Sequence, residues 1–320
     1  METYKTTFTI KRLWILLAVS MIVMFSTLLL FGREIYQQAP PIPQSYQTNS
    51  GEVVYTRAHI QRGQNVWQSI GGMQQGSVWG HGSYLAPDWT ADWLHREAEA
   101  LLEIMVDGAS ALTQLPNTPI EKVYAIALRS EMRENTYDSG SGIVTISEKR
   151  AQAIQEVAHH YQRLFQGTDE DYFDLRKDYA FPLHSTLSEE DAEDLAAFIF
   201  WSSWSAVTNR PGDDISYTSN WPHDPLVGNT PTPSVYMWSI ISVLLLLAGI
   251  GALVWYYVRQ HDVWRADMEP ETGFSKNDIL ANITITPSMM ATAKYFWVVS
   301  ALFLVQILLG IVTAHYAVEG

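Results

Sequence analysis

Apolar residues collect in three long blocks, 13–31, 235–258 and 295–317, whereas positions between the first two blocks mix polar and apolar residues. A helix of this length crosses a hydrocarbon core of about 30 Å. The pattern therefore predicts a mainly α membrane protein with three transmembrane helices and a globular segment between the first two. Lys5, Lys11 and Arg12 precede the first block, and its exit, Phe31-Gly32-Arg33-Glu34, offers no small-x-small cleavage site. It reads as an uncleaved anchor rather than a secretory signal. Aromatic residues sit at the block ends, Trp14, Trp255, Tyr256, Tyr257, Tyr295 and Trp297 on one side and Tyr36, Trp238 and Tyr316 on the other. Such placement suits the two membrane interfaces.

Within the globular segment, apolar residues recur at helical spacing over 88–106, and proline opens a helical pattern over 119–134. Ser147 begins a third helix through 165, and Ser188, followed by Glu-Glu-Asp, begins a fourth through 206. Residues 137–146, with Gly140, Gly142 and the run Ile143 to Ile146, read as a turn and short strand. The proline-rich run 39–43 reads as an extended tether, and 229–233 as a second boundary. The expected division is an anchor over 1–33, an outer domain over 34–233, and two further spans joined by a cytoplasmic loop over 234–320.

Charge fixes the expected orientation. Lys5, Lys11, Arg12, Arg259, Arg265, Lys276 and Lys294 lie at the amino terminus and in the loop 259–294. Only Arg33 lies close to a span end on the other side. Basic residues stay inside, so the amino terminus is inside and 34–233 outside. That outer segment carries 27 acidic and 12 basic residues, more than the whole chain's net −14. Such acidity argues against a nucleic-acid partner. The chain has no cysteine, which excludes disulfides, thiolate metal sites and covalently attached c-type haem.

Nine histidines are present, with no compact metal-ligand spacing such as HExxH. His159 and His160 read as solvated helix residues, and His81 and His95 as hydrogen-bonded structural ones. The glycines of 70–76 do not fit a dinucleotide fingerprint and read as a tight, irregular loop. Around them, 63–93 is dense in glycine and tryptophan (Trp67, Trp79, Trp89, Trp93). These residues serve either as core packing or as a docking surface. His315 and Glu319 are four apart, on one face of the third span near its outer end. A histidine and a carboxylate there can bind a hydroxylated ring and accept its protons on oxidation. Interfacial snorkelling with an i,i+4 hydrogen bond is the structural alternative.

Four strings carry a resemblance: GQNVWQSIGGMQQGSVWGHGSYLAPDWTADWLHREA, EMRENTYD, the run Ser219-Asn220-Trp221-Pro222-His223-Asp224-Pro225, and GIVTAHYAVEG. With them the chain resembles the amino-terminal portion of a quinol-dependent nitric oxide reductase, the single-chain bacterial respiratory enzyme of the haem–copper oxidase superfamily. The resemblance implies an outer, mostly helical domain of cytochrome c type that has lost its haem. It implies denitrifying oxidoreductase chemistry at the cytoplasmic (inner) membrane, with quinol as donor and nitric oxide as acceptor. His315 and Glu319 match the quinol-binding pair, and Gly82 and Tyr84 match a calcium-holding motif, for which a purely structural turn is the competing reading. Haem b, haem b3 and non-haem iron are implied for the full-length protein, with ligands on later spans that this chain does not contain. The expectation is thus a truncated product, fragment or split gene, inactive alone, whose partner is the missing C-terminal membrane portion; a homodimer is compatible. Architecture alone also fits a non-enzymatic, membrane-anchored partner-binding or assembly protein.

Overall fold

The computed structural model describes residues 10–82, 87–107, 120–179, 181, 186–267 and 287–317. Two compact units divide the chain, Met1–Pro222 and His223–Gly320.

The first unit begins with helix α1 (Ile10–Gln38), followed by strands β1 (Ser45–Thr48) and β2 (Val53–Thr56) and helix α2 (Arg57–Ser69). A short hairpin, β3 (Ser77–Val78) and β4 (His81–Gly82), precedes α3 (Trp89–Asp107) and α4 (Ile120–Arg133). Strands β5 (Tyr137–Asp138) and β6 (Ile143–Ile146), then α5 (Glu148–Gln166), α6 (Phe173–Asp178) and α7 (Glu189–Val207) complete it. The second unit contains α8 (Pro233–Asp267) and α9 (Pro287–Ala317).

Helix starts follow the serine signals. Ser147 Oγ accepts from the Arg150 amide at 3.1 Å, and Ser188 Oγ from the Asp191 amide at 3.1 Å. Each bond satisfies one of the orphan amides of a first turn. Glu189, Glu190 and Asp191 add carboxylates where the α7 dipole favours them. Beyond its first turn α7 is buried almost throughout, from Ala192 to Val207, and it forms the centre of the unit. Helices α2, α3 and α5 pack around it.

Its contact with α2 depends on one glycine. A Cβ placed on Gly63 would lie 1.9 Å from the Asp194 carbonyl oxygen and 2.9 Å from Phe198 Cβ. Asp194 also receives Arg62 in a two-pronged bond, with Nε at 2.6 Å and Nη2 at 2.8 Å. On the other flank a chain of rings fills the core. Trp93 stacks on Tyr161 at 4.9 Å, and Trp89 meets Tyr161, Phe165, Tyr179 and Phe181. A buried ion pair crosses this core. Arg150 Nε lies 2.9 Å from Glu97 Oε1, and the two side chains are 2% and 1% exposed.

The sheet runs in the order β2-β1-β6-β5. β1 pairs parallel with β6 and antiparallel with β2, with an irregularity at Tyr46/Gln47. Of these strands only β6 follows directly from the sequence pattern. Helix α2, for which that pattern predicts no helix, is capped by Thr56 Oγ1 and the His59 ring together.

Among the described residues, two stretches are long and apolar enough to cross a membrane, Trp14–Gln38 and Pro233–Tyr256. α9 carries a shorter apolar stretch, Trp297–Leu309. Their large side chains are exposed on all faces, Leu29, Leu253 and Trp297 among them. Helices apolar all round need a hydrocarbon or protein surrounding.

The two adjacent histidines of α5 part company. His159 is exposed as expected, but His160 turns inward, with Nδ1 3.0 Å from the Tyr172 hydroxyl and Nε2 buried without a hydrogen-bond partner among the described residues. Successive helix positions diverge by about 100°, so one can be solvated while the next is enclosed. The His160 imidazole is held down to about 4 from the usual 6.5, first by burial, then by the Arg96 charge, with Asp92 opposing and Arg163 adding. Between those pH values the unfolded chain binds a proton that the folded one refuses. Stability is therefore full above 6.5 and falls as pH drops toward about 4. His160→Gln is expected to flatten that window in urea titrations across pH; an unchanged slope would reject the assignment.

Candidate functional site

The glycine–tryptophan stretch 63–93 is not one structure. Its first seven residues form the end of α2, and its last five form the start of α3. Between them Gly71, Gly72 and Gly76 take φ of +102°, +49° and +148°, which glycine adopts at little cost. The turn is tight for a second reason. A Cβ on Gly76 would lie 2.3 Å from Trp89 Nε1, so the backbone passes directly against the core indole.

Asp88 ties this turn to α3. Its carboxylate accepts from Ser77 Oγ at 2.7 Å, the Gly80 amide at 2.5 Å and the Ala91 amide at 3.0 Å. The last bond caps α3. Trp79 has φ +56°, and its indole N–H donates to the Ser202 carbonyl at 2.8 Å. The hairpin is thereby pinned to α7.

A groove of about 760 Å³ opens between this turn, α2 and α7. Its walls are aromatic, formed by Trp67, Trp79, Phe198 and Trp201, and Met73 lies at its edge. Gln64, Gln68 and His81 supply its polar positions. His81 is exposed in the β3–β4 hairpin, and its ring has no hydrogen bond to a described residue. His95 does find a partner, Glu99 at 3.3 Å one turn along α3. Trp201 donates its indole N–H to the Pro41 carbonyl at 3.0 Å. This bond places the groove within three residues of the end of α1.

The sequence-derived site residues fall as follows. His315 lies on α9, near its C-terminal end, with its side chain outside what is described, and Glu319 lies outside the described residues. Gly82 pairs with Ser77 in the hairpin, and Tyr84 lies outside the described residues. Calcium takes six to eight oxygen ligands. Of the described residues here, Gly82 offers a backbone carbonyl, whereas the Asp88 carboxylate is turned toward three donors of its own loop. No group of three or more His, Asp or Glu side chains among the described residues could hold a metal ion.

Residues 43–223 match the family of the cytochrome c-like domain of NorB-type nitric oxide reductase. The chain belongs to that family. The match covers more than half of the chain and takes in every element of the first unit after α1. No curated protein matches the chain. Membership of the NorB-type nitric oxide reductase family makes the chain part of an oxidoreductase system, with a mostly helical cytochrome c-like domain. Within this family member, the tryptophans divide between two roles. Trp89 and Trp93 are fully buried core, whereas Trp67 and Trp79 line the groove. Density of glycine and tryptophan signalled the region, but which ring faced which way depended on α2 being a helix.

Proposed function

We infer that the chain supplies the outer domain and part of the quinol site of a quinol-dependent nitric oxide reductase. The family match over 43–223 carries this reading. The balanced reaction is 2 NO + quinol → N2O + H2O + quinone, with both electrons and both protons coming from the quinol. His315, near the end of α9, and Glu319, four positions later in the sequence, would receive the ring hydroxyls and accept their protons. Haem b, haem b3 and non-haem iron would supply electron transfer and NO reduction, on ligands carried by polypeptide beyond these 320 residues. The outer domain itself would be haem-free, since the chain has no cysteine for thioether attachment and Trp89 fills the turn against Gly76. Gly82 and Tyr84 would contribute calcium ligands.

The same reading gives the chain three spans in the bacterial inner membrane, with the amino terminus inside and 34–233 outside. The two candidate spans, the apolar α9 and the one-sided distribution of seven basic residues support it.

The test is a haem spectrum and quinol–NO assay on membranes, comparing this chain alone with the chain extended through the downstream reading frame. The expected result is haem b and NO reduction only in the extended form. In that form His315→Ala and Glu319→Ala are each expected to abolish quinol-driven turnover while leaving turnover with an artificial electron donor. A haem-free, inactive extended form would overturn the reading in favour of a partner-binding protein.

A further inference from the structure

The groove between α2, α7 and the glycine turn has a chemistry that the proposed quinol pair, His315 and Glu319, does not use. Three indoles reach it, and two are satisfied: Trp79 by the Ser202 carbonyl and Trp201 by the Pro41 carbonyl. The third, Trp67, is 4% exposed overall; its N–H makes no hydrogen bond to another described residue, and it is not among the buried atoms that lack a partner, so it is reached from the groove. A Cβ on Gly72 would come within 3.6 Å of that nitrogen, so the absence of a side chain at Gly72 keeps the approach to it open. An indole N–H is a donor only, and here it is open to the groove from an aromatic wall. It can therefore meet a ligand with an oxygen acceptor.

The walls define the rest of the ligand. Trp79 and Trp201 lie 5.5 Å apart by ring centroids, and Phe198 stacks near Trp201 at 6.0 Å. Such surfaces favour a flat ring. The described lining has no carboxylate, lysine or arginine, so the ligand is neutral. The side chains of Gln64 and Gln68, exposed along the α2 edge, have no hydrogen bond to a described residue, and neither has the exposed His81 ring. They can meet a second oxygen. Location names the source. The Trp201–Pro41 bond lies three residues past Gln38, where the candidate span ends, a distance of at most about 11 Å of extended chain.

We propose that this groove binds the ring of a membrane-borne quinone or quinol, as a second site separate from His315 and Glu319. The Trp67 N–H donates to one ring oxygen, and Gln64, Gln68 or His81 meets the other. Naming a quinone as the ring compound rests on the reading given under Proposed function; the groove's fit to a neutral, oxygen-bearing ring does not.

The experiment uses the full chain in phospholipid nanodiscs with a photoactivatable short-chain benzoquinone, and cross-links are mapped by peptide mass spectrometry. The expected result is labelling within residues 64–81, competed by unlabelled benzoquinone. Trp67→Phe keeps a ring but removes the donor, and is expected to weaken competition about tenfold. Because Trp67 is buried, two exposed-site variants guard against misfolding. Gln68→Leu is expected to weaken binding, and Met73→Trp, which fills the groove edge, to block it, each with an unchanged circular dichroism spectrum. Labelling confined to the end of α9 would overturn the groove site and leave the quinol reading standing. Absence of labelling at both places would overturn the groove site and count against that reading as well. Competition by phospholipid as strong as by benzoquinone would overturn the ring site in favour of an acyl chain.

Discussion

Arg150→Met is expected to destabilise the first unit by about 3–5 kcal/mol, the usual cost of stranding one member of a buried ion pair. The guanidinium serves three elements at once. Nε donates to Glu97 on α3, Nη1 donates to the Glu131 carbonyl of α4 at 3.0 Å, and Arg150 itself stands in the first turn of α5. Glu97 also accepts the Trp93 indole N–H at 2.9 Å. Removing the arginine leaves a carboxylate 1% exposed with that indole as its remaining named donor. The double replacement Glu97→Leu with Arg150→Met removes both charges, and is expected to recover most of the loss, because an apolar pair of similar volume avoids desolvation altogether. Urea unfolding followed by tryptophan fluorescence measures both. A single variant costing under about 1 kcal/mol would show that water reaches the pair and that it is not sealed as described.

Gly63→Ala is expected to cost about 2–3 kcal/mol, the upper part of the overpacking range. An alanine normally favours a helix interior over glycine by about 1 kcal/mol, so the sign here depends on packing. The obstruction is a backbone carbonyl, Asp194 O at 1.9 Å, which cannot rotate away as a side chain would. α2 must retreat from α7, loosening the Arg62–Asp194 bonds and the groove walls that both helices carry. For a unit of this size the melting temperature should fall by about 5–10 °C. Gly32→Ala, at which an added Cβ meets nothing within 4 Å, is the control and should be nearly neutral. Equal melting temperatures for both variants would contradict the close helix crossing.

What was legible in the sequence depended on how local the cause was. Helices α3, α4, α5 and α7 were readable to within a residue or so, because serine caps and helical periodicity act within a few positions. β1 was not, since its four residues gain their meaning from β6, a parallel partner about a hundred positions away. α2 was hidden for another reason. Its sequence, RAHIQRGQNVWQS, is polar and contains a mid-helix glycine that local propensity counts against it, whereas the fold uses that glycine for close approach. Missing α2 left the groove invisible, because Gln64, Trp67 and Gln68 share a wall only on a helix. His160 shows the same limit at one residue: spacing separated it from His159, but Tyr172 and the burial that lowers its basicity come from a later turn.

The junction between α1 and the rest of its unit has a mechanical consequence. Residues 39–43, if slack, could let the unit wander within about 17 Å of the helix end. Instead Gln38 is gripped by Arg210, Pro41 by Trp201 and Ile42 by Arg57, from three different parts of the fold. These bonds tie the exit of α1 to the unit at three points. While they hold, rotation of the anchor about its own axis carries the unit with it, so a molecule diffusing laterally meets the unit at one bearing relative to α1.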